Sequence, residues 1–340
     1  MAASAQSRLQ GFQGHATSWL RFSLRLRSLT AFLGASIYAI VLVSLPLLDF
    51  KDRTNYLAYA EYPAAILLRY AERGPAALLS NEPLWLAINI ALASFLAPED
   101  VVRVIIFVPA FVVAWITLRS NPKHIIWLVL VLLYPPVIKN HIIHLRQGVA
   151  VAFFLTGMLM VRHRWLRWAL ISLTPFIHSS FFFVIGIGAL ARSSRRLRLA
   201  TDLSIVLFAL ATIAVVMLLE GIASLVGARQ VSEYDLRQSE VVSGANFILW
   251  LAVLFLMMLE GRDYLRLHRF EVAAITFYLG TYFFLPITAR VFESALIPVF
   301  LAGLALTRWR GIAFKGAVAS FGLIVWLNGY ASTLLATTPR

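Results

Sequence analysis

The chain has 340 residues, 60% of them hydrophobic and only 14% charged, against about 25% charged in an ordinary soluble domain. With a mean hydropathy of +0.80 this excludes a soluble globular enzyme and indicates an integral membrane protein. A net charge of +14 would suggest a nucleic-acid partner for a soluble protein, but the excess of Lys and Arg in cytoplasmic loops of membrane proteins accounts for it here. The absence of cysteine removes disulfides, thiolate metal sites and a cysteine nucleophile.

The organisation is a basic tail, residues 1–29, followed by one integral-membrane domain, residues 30–340. Arg8, Arg21, Arg25 and Arg27 stand in the tail without one acid. The apolar stretch after them is too long for the core of a cleaved signal peptide, so a cytoplasmic tail and a retained span are expected. Eleven apolar runs follow at 30–48, 84–97, 101–118, 125–138, 149–161, 168–190, 199–219, 247–259, 272–287, 291–306 and 312–326. The expected fold is all-α: a polytopic transmembrane helix bundle of about 10–11 apolar helical segments, at least one of them broken or re-entrant. The longest polar connections, 50–83 and 220–245, are too short to form a separate catalytic domain.

Sidedness depends on the basic residues. Strict alternation of the runs strands Arg119, Lys123, Arg162, Arg164 and Arg167 outside. Treating 84–97 as a short interfacial helix and 168–190 as a hairpin brings them inside, with 19 of the 30 basic residues cytoplasmic against 17, which the positive-inside rule favours. The Arg192 to Arg198 cluster then reads as a topogenic signal.

Ionisable groups within or at the rim of apolar runs are expensive and mark functional sites. Three segments qualify. The first follows Pro135 and Pro136 and holds Lys139, Asn140, His141, His144, Arg146 and Gln147, with Arg146 at the start of a helix facing the outer leaflet. The second is LTPFIHSSFFF, where Pro175, His178, Ser179 and Ser180 interrupt an apolar stretch and proline should break the helix near Thr174. The third is PITARVFES, with Arg290 and Glu293.

Each has a plainer reading beside the functional one. Arg146 and Arg290 would equally suit helix ends anchored at phosphate headgroups, and His178 an interhelical hydrogen bond. Glu82, directly before Pro83, suits a helix N-terminus. Asp49 and Asp52 suit either a wet loop or a carboxylate that acts as a base or holds a metal. His141 and His144 are three apart on one helix face, but no HExxH or nearby carboxylate in sequence accompanies them, so no metal is expected. No phosphate-binding GxxxxGKS, no GxGxxG after a strand and no DxD occurs, which argues against a nucleotide substrate.

Taken together, DRTNYLAY (Asp52, Tyr56), NEPLWLAIN (Glu82, Pro83), LRQGVAVAFF (Arg146, Gln147, Gly148), FIHSSFFF (His178, Ser179) and ITARVF (Arg290) resemble the EpsG family of bacterial exopolysaccharide polymerases, related to the Wzy-type polymerases. The resemblance spans roughly residues 49–300, and the RQG and IHSS pair is its specific part. It implies a glycosyltransferase on the outer face of the bacterial cytoplasmic membrane, joining oligosaccharide repeat units carried on polyprenyl diphosphate, without a cofactor. A flippase and a chain-length regulator of the same pathway would be its partners. Arg146 and Arg290 would clamp the donor diphosphate and His178 would take the proton of the incoming hydroxyl. Asp52, Tyr56, Glu82, His144, Gln147 and Ser179 would contact substrate, with Asp52 and Glu82 as second-choice bases. The extra Lys139, His141 and His144 depart from the family pattern. Other readings are a transporter or flippase for an anionic lipid-linked sugar, or a different lipid-dependent glycosyltransferase using Asp49 or Asp52.

Overall fold

The structure, a computed structural model, describes residues 28–226, 244–285 and 287–335. Most of the basic tail, residues 1–27, lies outside this range. Among the described residues the chain is mostly helix joined by turns, with no strand and one isolated antiparallel bridge between Phe50 and Leu335. Each of the eleven apolar runs falls largely on helix among these residues, with turns interrupting 125–138 and 168–190.

Helix α1 (Ser28–Val43) leads into a region read from sequence as a polar connection. It is instead folded into α2 (Arg53–Glu61), α3 (Pro63–Glu72) and α4 (Pro75–Ser80), followed by α5 (Pro83–Ala93) and α6 (Pro98–Ser120). Proline opens four of these helices, where its fixed φ suits the first turn and its missing N–H is no loss. Arg53, Tyr56 and Tyr70 are buried and tie the short helices to the bundle.

Next come α7 (Ile125–Leu132) and α8 (Pro135–Ile142), bent by 65° across the break before the two prolines. Helix α9 (Leu145–Leu155) runs on through a π-helical turn at Thr156–Met160. Then follow α10 (Arg164–Leu173), a 3-10 turn at Thr174–Phe176 and α11 (Phe181–Arg196), so the helix breaks at the residue the proline predicted. The remaining elements are α12 (Thr201–Val226), α13 (Gly244–Glu260), α14 (Arg262–Leu267), α15 (Arg269–Thr281), α16 (Thr288–Leu304), α17 (Arg308–Leu327) and α18 (Tyr330–Leu334).

By length and composition, three helices reach across a membrane: α6, the 201–218 stretch of α12, and α17; the bent α7 and α8 together make a fourth span. This is a multi-pass membrane protein. Most of the other apolar segments are shorter than a full crossing because Pro and polar residues interrupt them. The interruptions sit where neighbouring helices can satisfy the freed backbone groups. Helices α15 and α16 are almost wholly buried, while large apolar side chains of α1, α12 and α17 face outward, as lipid-facing surfaces require.

The contacts also define two ends. Arg192, near the close of α11, lies 5.2 Å over the ring of Trp168 in the early part of α10. The two helices therefore form a hairpin whose basic mouth is closed and whose tip is the 174–180 break. At the same end, Arg195 donates to the carbonyl of Arg266 at 3.3 Å, and Arg269 to the Ser194 hydroxyl at 3.0 Å. Arg310 pairs with Glu260 at 2.6 Å, and Lys315 covers Trp127. Leu118 meets Gly34 of α1, which brings in the Ser28 end of the first helix. Basic loop residues thus collect at the end where α1 begins. Val43, at the other end of α1, accepts from Arg103 of α6 at 3.1 Å.

Candidate functional site

Four helix starts converge at the end remote from Ser28. Glu82 immediately precedes α5, Arg146 is the second residue of α9, His178 and Ser179 lie just before α11, and Arg290 is in the first turn of α16. The unpaired N–H groups and positive dipole ends of such starts favour negative charge between them. From Leu145 to Met160, a helical rise of 1.5 Å per residue gives about 24 Å. That length is most of the thickness of a hydrocarbon core of about 30 Å.

Glu82 is the hub. It is 3% exposed and its backbone is left-handed, φ 60 and ψ 54. The following proline disfavours the right-handed helical region here, and a non-glycine residue held left-handed stores strain of the kind found at functional sites. Its side chain does not cap α5, so the N-terminal capping role open to it in the sequence is not the one it takes. One carboxylate oxygen, Oε2, is paired with the Arg146 guanidinium. The other, Oε1, receives the Ser179 backbone N–H at 3.0 Å and faces His178 Nδ1 at 3.0 Å.

A carboxylate only accepts, so His178 Nδ1 carries its proton toward Glu82. Nε2 is then the basic nitrogen, and it is buried without a hydrogen-bond partner among the described residues. Arg146 is further held over the ring of Tyr59, 5.6 Å from its centroid, and Tyr56 lies beside it. Both tyrosines pack edge-on against Trp85, which anchors α2 to the start of α5.

A second ionic group adjoins the first. Glu293, 9% exposed, pairs with Lys139 Nζ at 3.1 Å and stands 3.6 Å from His144 Nδ1. Gln147 joins the two groups: its Nε2 donates to the Arg290 carbonyl at 2.7 Å and to the Ser294 hydroxyl at 3.0 Å. Ser180 reaches the same Ser294 hydroxyl at 3.3 Å. Arg290 is thereby fixed by its main chain one residue from Arg146 of the facing helix, and its charge acts on both His144 and His178. Gly148 permits the close approach of α8 to α9, since a Cβ there would meet the Asn140 carbonyl oxygen at 2.3 Å.

Of the residues singled out in the sequence, Arg146, His178, Arg290, Glu82, Gln147, Ser179 and His144 meet here, and Tyr56 lines the Arg146 side. The Asp52 side chain makes no hydrogen bond or ion pair with them among the described residues; it lies one helical turn before Tyr56, whose N–H its carbonyl accepts at 3.2 Å. It is exposed at the start of α2 with a left-handed φ of 60, and Asp49 is exposed in the preceding 3-10 turn. His141 is buried with its ring edge-on to Tyr38 at 6.2 Å, and it makes no carboxylate pair among the described residues. Among the described residues no three His, Asp or Glu side chains group as ligands for a metal ion.

Tyr59 carried no signal in the sequence, Lys139 and Glu293 had no partner there, and Glu82 was a helix start, substrate contact or second-choice base, without its Arg146 and His178 partners. A lysine in one apolar segment and a glutamate in another, each costly alone in a bilayer, are the signal that would have paired them.

Fold and site thus define a multi-pass helical membrane protein with a polar cluster built on helix starts around the buried Glu82. Comparisons with protein-family models, with curated proteins and with solved structures find no match to the chain.

Proposed function

We propose that the protein is a membrane glycosyltransferase that polymerises oligosaccharide repeat units carried on polyprenyl diphosphate. The observation that carries this reading is the pairing of two chemistries in one place: partly buried arginines at converging helix starts, and a buried histidine whose Nδ1 is held by a carboxylate while its Nε2 is unengaged. The first suits a diphosphate. The second suits removal of a proton from a hydroxyl.

In the proposed step the acceptor hydroxyl oxygen attacks the anomeric carbon of the donor sugar. Its proton passes to His178 Nε2, and the bond from that carbon to the phosphate oxygen breaks. The polyprenyl diphosphate departs with the electron pair, its growing charge met by Arg146 and Arg290. Glu82 keeps the imidazole oriented and offsets the positive charge it gains, as the third group of a nucleophile, base and carboxylate arrangement does.

The segregation of basic residues to the Ser28 end supports a cytoplasmic N-terminus under the positive-inside rule, with the site on the opposite, outer face of a bacterial cytoplasmic membrane. The lipid-linked substrate, and pathway partners that flip it and limit chain length, belong to this same reading.

Two interrupted helices, α7 with α8 and α10 with α11, also suit a transporter, in which broken helices frame the substrate. One experiment separates the two. Purified protein in liposomes is incubated with lipid-linked repeat units; a ladder of longer glycans is expected. Movement of substrate across the bilayer with chain length unchanged would favour transport instead.

A further inference from the structure

The two ionic groups differ in hydrogen-bonding character. The Arg146 and Arg290 side offers donors. The side toward Lys139 and Glu293 is rich in acceptors: Gln147 Oε1 and Asn140 Oδ1 are buried without a hydrogen-bond partner among the described residues, and Glu293 Oε2 faces only His144 Nδ1, at 3.6 Å, beyond a full hydrogen bond. The nitrogen ends orient the two amides, firmly for Gln147 and through a long contact for Asn140. Gln147 Nε2 faces the Arg290 carbonyl at 2.7 Å, and Asn140 Nδ2 faces the Glu293 carbonyl at 3.5 Å, so neither oxygen can turn inward without facing another oxygen. Unsatisfied buried acceptors are rare and costly in native proteins, and they define their missing partner by its donors.

An anion has none to give. A polyhydroxyl ring has several, each also able to accept, and the 3.6 Å separation of Glu293 Oε2 from His144 Nδ1 lets one hydroxyl donate to the carboxylate and accept from the imidazole. We infer that Glu293, His144, Gln147 and Asn140 form a sugar-hydroxyl subsite beside the arginine cluster. It reads the first sugar of a glycosyl diphosphate while Arg146 and Arg290 hold its phosphates. Lys139 keeps the Glu293 carboxylate ionised and in place by the 3.1 Å pair. The inference rests on the sugar-diphosphate reading of the neighbouring arginines and deepens it, by assigning a separate set of residues to the sugar.

The test measures binding to the full chain in lipid nanodiscs with three probes: undecaprenyl diphosphate bearing no sugar, the glycosylated carrier extracted from cells lacking this protein, and the free glycan released from it by mild acid. Glu293→Gln and His144→Gln are compared with the parent, two variants being used so that loss of one to misfolding leaves the other. The expected result is binding of the glycosylated carrier weakened about 10- to 100-fold, the scale of one lost hydrogen bond to a charged group, with the bare carrier within about twofold. Equal weakening of both carriers, or no change in either, would overturn the subsite. If the parent protein fails to bind the bare carrier, the diphosphate reading is what falls. The subsite is then judged by the free glycan alone: weaker binding in the variants sustains it, and unchanged binding removes it.

Discussion

His178 Nδ1 lies 3.0 Å from Oε1 of Glu82, 96 residues earlier in the chain, and the same carboxylate is paired with Arg146 through its other oxygen. One buried glutamate therefore sets both the tautomer of the proposed base and the position of the proposed phosphate-binding cation. Neither function is separable from the strained turn that presents Glu82.

Glu82→Gln keeps the shape and removes the charge. His178 is then no longer obliged to donate from Nδ1, and its imidazolium form loses its counter-charge. Glycan elongation is expected to fall by about 10² or more, on the scale of general acid-base catalysis, while undecaprenyl diphosphate still binds. Elongation within a few-fold of the parent would show that this carboxylate does not orient the base.

Arg146→Lys preserves the charge but not the planar fork. Elongation should drop about 10- to 100-fold, and Arg146→Ala should abolish it. The alanine variant also strands a buried carboxylate, a change that typically costs about 3–5 kcal/mol, seen as a lower unfolding temperature in detergent. Arg146→Ala combined with Glu82→Ala should recover part of that stability without restoring activity, because the uncompensated charge has gone. Strictly additive losses of stability would contradict the coupling.

Gly148→Ala tests the packing that sets the site. The added methyl would meet the Asn140 carbonyl oxygen at 2.3 Å, which neither helix can absorb by a side-chain rotation. A destabilisation of about 1–3 kcal/mol, typical of overpacking, is expected in thermal unfolding. Elongation should be lost along with it, since α8 carries Lys139 and α9 carries Arg146. An unaltered unfolding temperature would show that α8 and α9 have room to separate.

The hairpin predicts sidedness. As the chain has no cysteine, single cysteines report alone: Ser120→Cys, His163→Cys and Arg308→Cys should react with an impermeant maleimide from one face of sealed vesicles, and Asp52→Cys from the other. Labelling of position 163 from the Asp52 face would break the hairpin assignment.

How far the chain could be read without coordinates differs between its parts. Apolar runs fix helix because a bilayer leaves backbone groups no other partner. Pro135 and Pro175 locate the interruptions because proline removes a donor and obstructs the preceding turn. Arg146, His178 and Arg290 declare themselves because charge and polarity in an apolar run are expensive. Those are local costs, legible residue by residue.

Partnership is not local. That Glu82 binds Arg146 and His178 instead of capping α5, that Lys139 finds Glu293 154 residues away, that the Asp52 side chain is exposed at the rim, and that the 50–83 stretch folds into short helices all depend on which helix starts the packed bundle brings together. The composition and spacing of this protein determined that it is a helical membrane protein with a few costly polar residues. Only the tertiary structure decided which of them neutralise one another, because an ion pair is set by distance in space, and spacing along the chain does not encode that distance.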